Sequence, residues 1–274
     1  MKRIKLGMLL VLMVVLVGCA PGSGQPTPTL YIMPTLPPAP TATIVPTLDP
    51  AGDPDAPPTY TFAGTGADQI DTYSARLTLE FKGTNPVTSQ LATLTTDTMF
   101  SSRHDPPSKL LDTTFDAVSV DTSALGLGPS PQGEFKVLLA GNTAYVTQGV
   151  GTDGEACVST PAAQAADLFT GLSNYDDLLG TAVPPLQRVE PNELVNGLES
   201  RHYHVEGFSA GQFTSASLDV WVARNGGFAT RIILTGDGTF PNLGAGHLTT
   251  TYEITSTQQT VDYSPPGDCT PLNG

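Results

Sequence analysis

From Tyr73 to Phe81 the chain alternates strictly between apolar residues (Tyr73, Ala75, Leu77, Leu79, Phe81) and polar ones (Ser74, Arg76, Thr78, Glu80). Neighbouring side chains of a strand point to opposite faces, so this segment buries one face and wets the other only as a β-strand; a helix would scatter the same residues around its girth. Further strands are predicted over 91–101 and 109–120, parted by the breaker His104-Asp105-Pro106-Pro107. Residues 134–147 read as a hairpin turning at Gly141-Asn142. Asn196-Gly197 and Asn225-Gly226 are predicted as two more two-residue turns, because Asn and Gly tolerate the positive φ of primed turns. The last of these joins 218–222 to 228–234, with an alternating strand over 247–256 and a closing strand near Thr260 beyond it.

One stretch interrupts the strands. Thr160-Pro161 has the form of an N-cap with proline at the first helical position, and Ala162, Ala166 and Phe169 then recur at helical spacing. Ser173 with Asp176 forms a capping-box pattern for a second short helix ending near Gly180. Strands, a helical excursion and strands again predict an α+β, mostly β domain: one curved antiparallel sheet with short helices over one face.

The amino terminus imposes its own constraint. Lys2, Arg3 and Lys5 precede an uncharged apolar run from Leu6 to Val17, the form of a signal peptide over residues 1–18. That run is shorter than the roughly 20 apolar residues a membrane-spanning helix needs. Leu16-Val17-Gly18-Cys19 resembles the lipobox of bacterial lipoproteins, which implies that Cys19 is cleaved on its amino side and carries diacylglycerol. Two or more acyl chains give stable attachment where one does not. The implied location is the extracytoplasmic face of a bacterial cell membrane. Residues 19–59 then read as a disordered Pro/Thr tether, with Pro-Thr-Leu repeated at Pro28, Pro34 and Pro46 and no charge before Asp49. The folded domain is expected over 60–274.

Charged residues make up 14% of the chain, against about 25% in an ordinary soluble domain, and acids outnumber bases by 26 to 12. Loss of the three leader bases moves the net charge from −14 to −17. Such a surface repels phosphate backbones and excludes nucleic acid as a partner. With Cys19 taken by the anchor, Cys157 and Cys269 form an even pair in an exported domain and read as a disulfide, two free thiols being the alternative. The bridge would close a loop of roughly 110 residues, worth about 4 to 5 kcal/mol in the chain-entropy model.

Tests for chemistry come back empty. Gly149-Val-Gly-Thr-Asp-Gly154 has the spacing of a dinucleotide loop, but no crossover helix begins after Gly154 and no βαβ unit surrounds the loop. His202 and His204 share a strand face and could both ligate a metal, yet Tyr203 and Val205 form the apolar face there, which sends the histidines to solvent without a local third ligand. Asp176-Asp177 suits a helix start and Asp153 with Glu155 a solvated loop. His104 and His247 have no nucleophile partner, and the hydrolase, metalloprotease and P-loop signatures are missing from the sequence. The expectation is a protein that is not an enzyme and uses no cofactor or metal.

Glu193-Leu-Val-Asn-Gly-Leu-Glu-Ser-Arg-His-Tyr203, then Leu218-Asp-Val-Trp-Val222 with Asn225-Gly226, Thr230-Arg-Ile-Ile-Leu234 and a final Thr-rich strand resemble the LppX/LprG group of bacterial lipoproteins, relatives of the carrier LolA. Ala223 and Arg224 stand where that pattern has an acidic residue. The resemblance spans about 65–265 and implies a LolA-like half-barrel whose open side is partly closed by helices. It implies a lipid or other hydrophobic ligand in the cavity, and transport or sensing without catalysis. Inward alternates expected to line it are Leu77, Leu79, Phe81, Phe115, Val137, Leu139, Val220, Ile232, Leu234, Tyr252 and Ile254. Exposing about 30 methylenes of a diacyl lipid to water would cost on the order of 24 kcal/mol, so a carrier must enclose them; the alternative for the same residues is plain core. The other expectation is a surface module that meets an envelope protein through an acidic, Thr-rich face.

Overall fold

The computed structural model describes residues 53–125, 127, 130–150, 155–165, 175–180, 183–258 and 261–272. Thirteen strands form one curved, open sheet. In chain order they are β1 (Thr59–Tyr60), β2 (Thr72–Thr84), β3 (Leu91–Arg103), β4 (Ser108–Val118), β5 (Gln132–Ala140), β6 (Thr143–Gln148), β7 (Ala156–Pro161), β8 (Leu186–Val195), β9 (Leu198–Ala210), β10 (Phe213–Ala223), β11 (Ala229–Phe240), β12 (Gly244–Ser256) and β13 (Thr270–Pro271). Their spatial order is β1-β8-β9-β10-β11-β12-β2-β3-β4-β5-β6-β7-β13. Two antiparallel meanders, β2 to β7 and β8 to β12, therefore join where β12 pairs with β2. The parallel pair is β13 with β7.

The alternation of β2 sets the register for the whole molecule. Leu77 stands opposite Tyr252 on one side and Thr98 on the other, which extends into an inner row Val220–Ile232–Tyr252–Leu77–Thr98–Thr113–Phe135. The inner face is covered by Tyr60, Phe62, a 3-10 turn at Ala67–Gln69 and a short helix, α1 (Tyr175–Leu179), all in one buried cluster or packed against it. Phe81 lies over Gly83 and Gly246, where a Cβ would collide with backbone and ring alike; its ring meets Phe240 edge-on, as Phe213 does. Those glycines let the aromatic rings lie flat and close one end of the core.

Asn196 and Gly197 both take positive φ (49° and 82°), the primed turn expected between β8 and β9. Elsewhere the chain departs from expectation. Asn225-Gly226 is not a two-residue turn but part of a connection over 224–228, closed by Ala223 N–H to the Phe228 carbonyl, with Gly226 and Gly227 both at positive φ. A bulge after Trp221 has already broken the register there. Thr160 and Pro161 are not a cap and first helical residue; they complete β7, opposite Ala144 and Thr143. The pairing continues through Ala162 N–H to the Asn142 carbonyl, so the ladder satisfies backbone that a helix start would leave bare, and helical backbone occupies 162–165. Ala166, Phe169 and Ser173 lie outside the described residues, as does Thr260. Among those described, the carboxyl-terminal strand is β13, held beside β7 by the Cys157–Cys269 disulfide, whose Cα atoms are 4.5 Å apart.

Candidate ligand-binding face

All eleven residues expected to line the inner side project from the inward register of the sheet. Leu77, Phe81, Val220, Ile232, Leu234, Tyr252 and Ile254 belong to one buried cluster, each at most 7% exposed. Phe115 and Val137 belong to a second, smaller one with Leu111, Phe135, Ala144 and Ala165. Leu79 and Leu139 are half-buried at the borders of the two. Sequence reasoning did not single out the other half-buried residues of this face: Phe100 and Leu127, which touch both clusters, and Val146. Leu79 sits between Thr250 and Thr96 in the register.

This face is apolar but not dry of hydroxyls. Thr98 and Thr113 bond each other across β3 and β4 at 3.0 Å. The hydroxyls of Thr96 and Tyr252 are buried without a hydrogen-bond partner among the described residues, and those of Tyr175 and Thr250 are buried facing each other. Burial raises the Tyr252 phenol well above its ordinary value, with the neighbouring Tyr73 and Tyr175 adding to the effect, so it stays a neutral donor. From the row Ile254–Ala75–Phe100–Leu111–Val137 towards the β2–β3 turn, no inward position between β10 and β5 carries a charge. Where it is not already covered, such a surface is chemically matched to alkyl chains and uncharged polar groups, and offers no counter-ion to a charged one.

Arg201 and Arg224, beyond that region, are occupied by Asp53. The Asp53 carboxylate accepts from Arg201 Nε at 2.7 Å, from Asn192 Nδ2 at 3.3 Å, and lies 3.7 Å from Arg224 Nε. The hydrogen bond from Arg201, opposed by burial and aided by Asn192 and the two guanidinium charges, holds Asp53 down to about 2. The folded unit thus reaches back past Tyr60: β1 pairs with β8, and Asp53 is clamped to a partner 148 residues away.

The outer face holds the histidines, on the side expected. Asp219 Oδ1 lies 2.8 Å from His202 Nε2 and 2.9 Å from His204 Nδ1; Glu193 is 3.2 Å from His202 Nδ1. Burial alone would raise Asp219, but the bonds and charges of the two imidazoles bring it below its ordinary value. The His202 ring also stacks on Trp221, centroids 4.2 Å apart, with Arg231 5.3 Å from the same indole. Among the described residues no group of three or more His, Cys, Asp or Glu could hold a metal ion. Asp219 could not have been assigned from sequence, since its pairing with His204 depends on the β9–β10 register. Further along this face a groove of about 380 Å³ is lined by Arg76, Thr78, Glu80, Thr95, Asp97, Thr114 and Asp116. Of the acidic pairs considered, Asp153 and the Asp176 and Asp177 side chains lie outside the described residues.

Among the described residues no helix is long and apolar enough to cross a membrane. Comparison with known proteins finds no family model that matches the chain and no curated protein significantly similar to it.

Proposed function

We propose that this protein is a lipid-anchored, non-enzymatic lipoprotein of the bacterial envelope that binds a lipid or similar hydrophobic molecule on the inner face of a LolA-like half-barrel. The observation that carries the reading is an open, curved sheet whose inner face is uncharged from the Ile254–Val137 row towards the β2–β3 turn and still leaves Leu79, Phe100 and Val146 partly exposed. An isolated domain has no reason to leave inward alkyl surface wet, because each apolar Å² removed from water contributes roughly 25 cal/mol. The lipobox at Cys19 and the apolar run before it support the anchor, and the disulfide fits an oxidising compartment. The test is to purify the chain with Cys19→Ser, extract it with organic solvent and titrate it with a fluorescent acyl-chain probe. An amphiphile in the extract, or saturable probe binding weakened by Leu79→Asp, is expected; neither appearing would end the proposal.

A second reading rests on the outer face, where Glu80, Asp97 and Asp116 alternate with Thr78, Thr95 and Thr114 in register. That acidic, hydroxyl-rich surface suits a basic envelope protein. Cross-linking from Thr95→Cys distinguishes it by recovering one protein partner.

A further inference from the structure

The meander brings one rim of the sheet together from four separate stretches of sequence. Thr84 stands opposite Leu91 and Ala245, Thr93 opposite Val118, Phe240 opposite Gly244, and Phe213 opposite Gly238 and Ala210. Residues 83–92, 117–125, 208–213 and 239–246 therefore share this rim, and in a chain with 38 charged side chains the one among them is Asp121; Lys82, His247 and Asp237 stand in the next row, in register with Thr93 and Val118. Asp121 is occupied as a local cap for the Ala124 N–H. The opposite rim is crowded with charge: Arg103, His104, Asp105, Glu199, Arg201, Arg224 and Glu253 all sit at or beside its turns. Further along the uncharged rim, past β5, the β6–β7 connection carries Asp153 and Glu155, so the neutral stretch has a boundary.

One corner of the neutral rim is apolar and open. Val87, at the tip of the β2–β3 connection, is 88% exposed, Leu91 59% and Val118 55%. They are held together: Asn85 Oδ1 accepts from Val87 N–H and Thr88 N–H, and its amide donates to the Ser119 carbonyl at 2.6 Å, which ties the connection to the end of β4. Three fixed aliphatic side chains at this corner, with Lys82 and Asp116 as the nearest charges in the register of Val118, cost free energy in water and recover it where water gives way to hydrocarbon.

We infer that this corner, Val87, Leu91 and Val118, is a bilayer-contact edge that dips into the headgroup boundary of an electrically neutral membrane surface. The choice of a bilayer over a protein rests on the reading of Cys19 as acylated, since that places a membrane within permanent reach. The reach is sufficient. Asp53, the first described residue, is clamped at the opposite rim, and a 13-residue strand spans about 43 Å. The roughly 33 residues between Cys19 and Asp53 extend to about 100 Å at 3.1 Å each, so they can run the height of the sheet and let the far rim touch. Leu91 and Val118 project from the outer register, alternating with the buried Ala92 and Ala117, while on the inner side Leu125 and Leu127 pack on the core and the Asn242 amide donates to the Ala124 carbonyl.

The experiment uses the full chain with Cys19→Ser, so that any vesicle contact comes from the domain, and vesicles of phosphatidylcholine alone. The chain is expected to float with the vesicles, and Val87→Asp/Leu91→Asp/Val118→Asp to lower the floating fraction about tenfold. Met99→Asp, at an exposed outer-face site, is expected to leave it unchanged, and urea midpoints check that every variant is folded. Absence of flotation by the Cys19→Ser chain, equal flotation by the triple variant, or cross-linking of the corner to one protein with no vesicle contact would overturn the inference. Flotation of this chain does not depend on acylation, and Cys19 in the unmodified protein is read separately by mass, so the two readings fail independently.

Discussion

The two meanders of the sheet are built alike and finished differently. The half formed by β8 to β12 with β2 is packed on its inner side by Tyr60, Phe62, Ala67, Tyr175 and Leu179, and its inward residues Leu218, Val220, Ile232 and Leu234 are fully enclosed. The half formed by β3 to β7 gives Ala92, Leu94 and Ala117 to the same cluster and otherwise has the smaller one around Leu111 and Val137, with Leu139 and Val146 partly buried. Strand pairing is thus the same in both, while the packing among the described residues is not. On the proposed reading, a guest would meet apolar surface in the second half.

The largest expected effect separates the two halves by their fastening. Cys269→Ser removes a cross-link spanning 112 positions and is expected to cost about 4 kcal/mol. Hydrogen exchange should rise first in β5 to β7, with β9 to β11 still protected; uniform loss would break the comparison. Next, Leu234→Ala is expected to cost about 3 kcal/mol in urea unfolding, against about 1 kcal/mol for Leu139→Ala, and equal costs would show the second half to be as tightly packed as the first. Asp53→Asn, which removes the clamp on β8 to β10, is expected to cost about 1 to 2 kcal/mol at pH 7. Because Asp53 is held at about 2 against an ordinary 3.8, its contribution is complete above pH 4 and disappears as pH falls through 2. The wild type should therefore lose its advantage over Asp53→Asn across that window, and an advantage unchanged at pH 2 would sink the assignment. The smallest effect sharpens the contrast: an acyl-chain probe should slow exchange in β3 to β6 and leave β10 and β11 unchanged.

Much of this was legible from local pattern. Tyr73 to Phe81 could only be a half-buried strand, Asn196-Gly197 could only reverse the chain tightly, and Gly180, at φ 61°, ends α1 where expected. What escaped is non-local. Thr160-Pro161 satisfies the local rule for a helix start, but the ladder to Thr143 and Ala144 keeps both residues in β7 and the helical backbone begins after them, at 162. Asp53 gives no local sign of its partners, and Asp219 becomes the shared acceptor of two histidines only through cross-strand register. Nine of the eleven residues expected to line the inner side are enclosed by other side chains, all but Leu79 and Leu139; alternation tells which way a side chain points and not what lies on top of it. The uncharged stretches 83–96 and 238–246 were visible in the sequence, yet they acquire meaning only when the pairing of Thr84 with Ala245 sets them side by side.

The strand order also decides how the molecule answers force. The two ends of the folded chain occupy opposite edges of the sheet, β1 at one and β13 at the other. A pull on the amino-terminal segment meets the Asp53 clamp on Arg201 and Arg224 first and then β1, held to β8 by two rungs. Both would give way before the long strands behind them, so force from that side would be spent at one edge of the sheet while the register of β9 to β12 is kept.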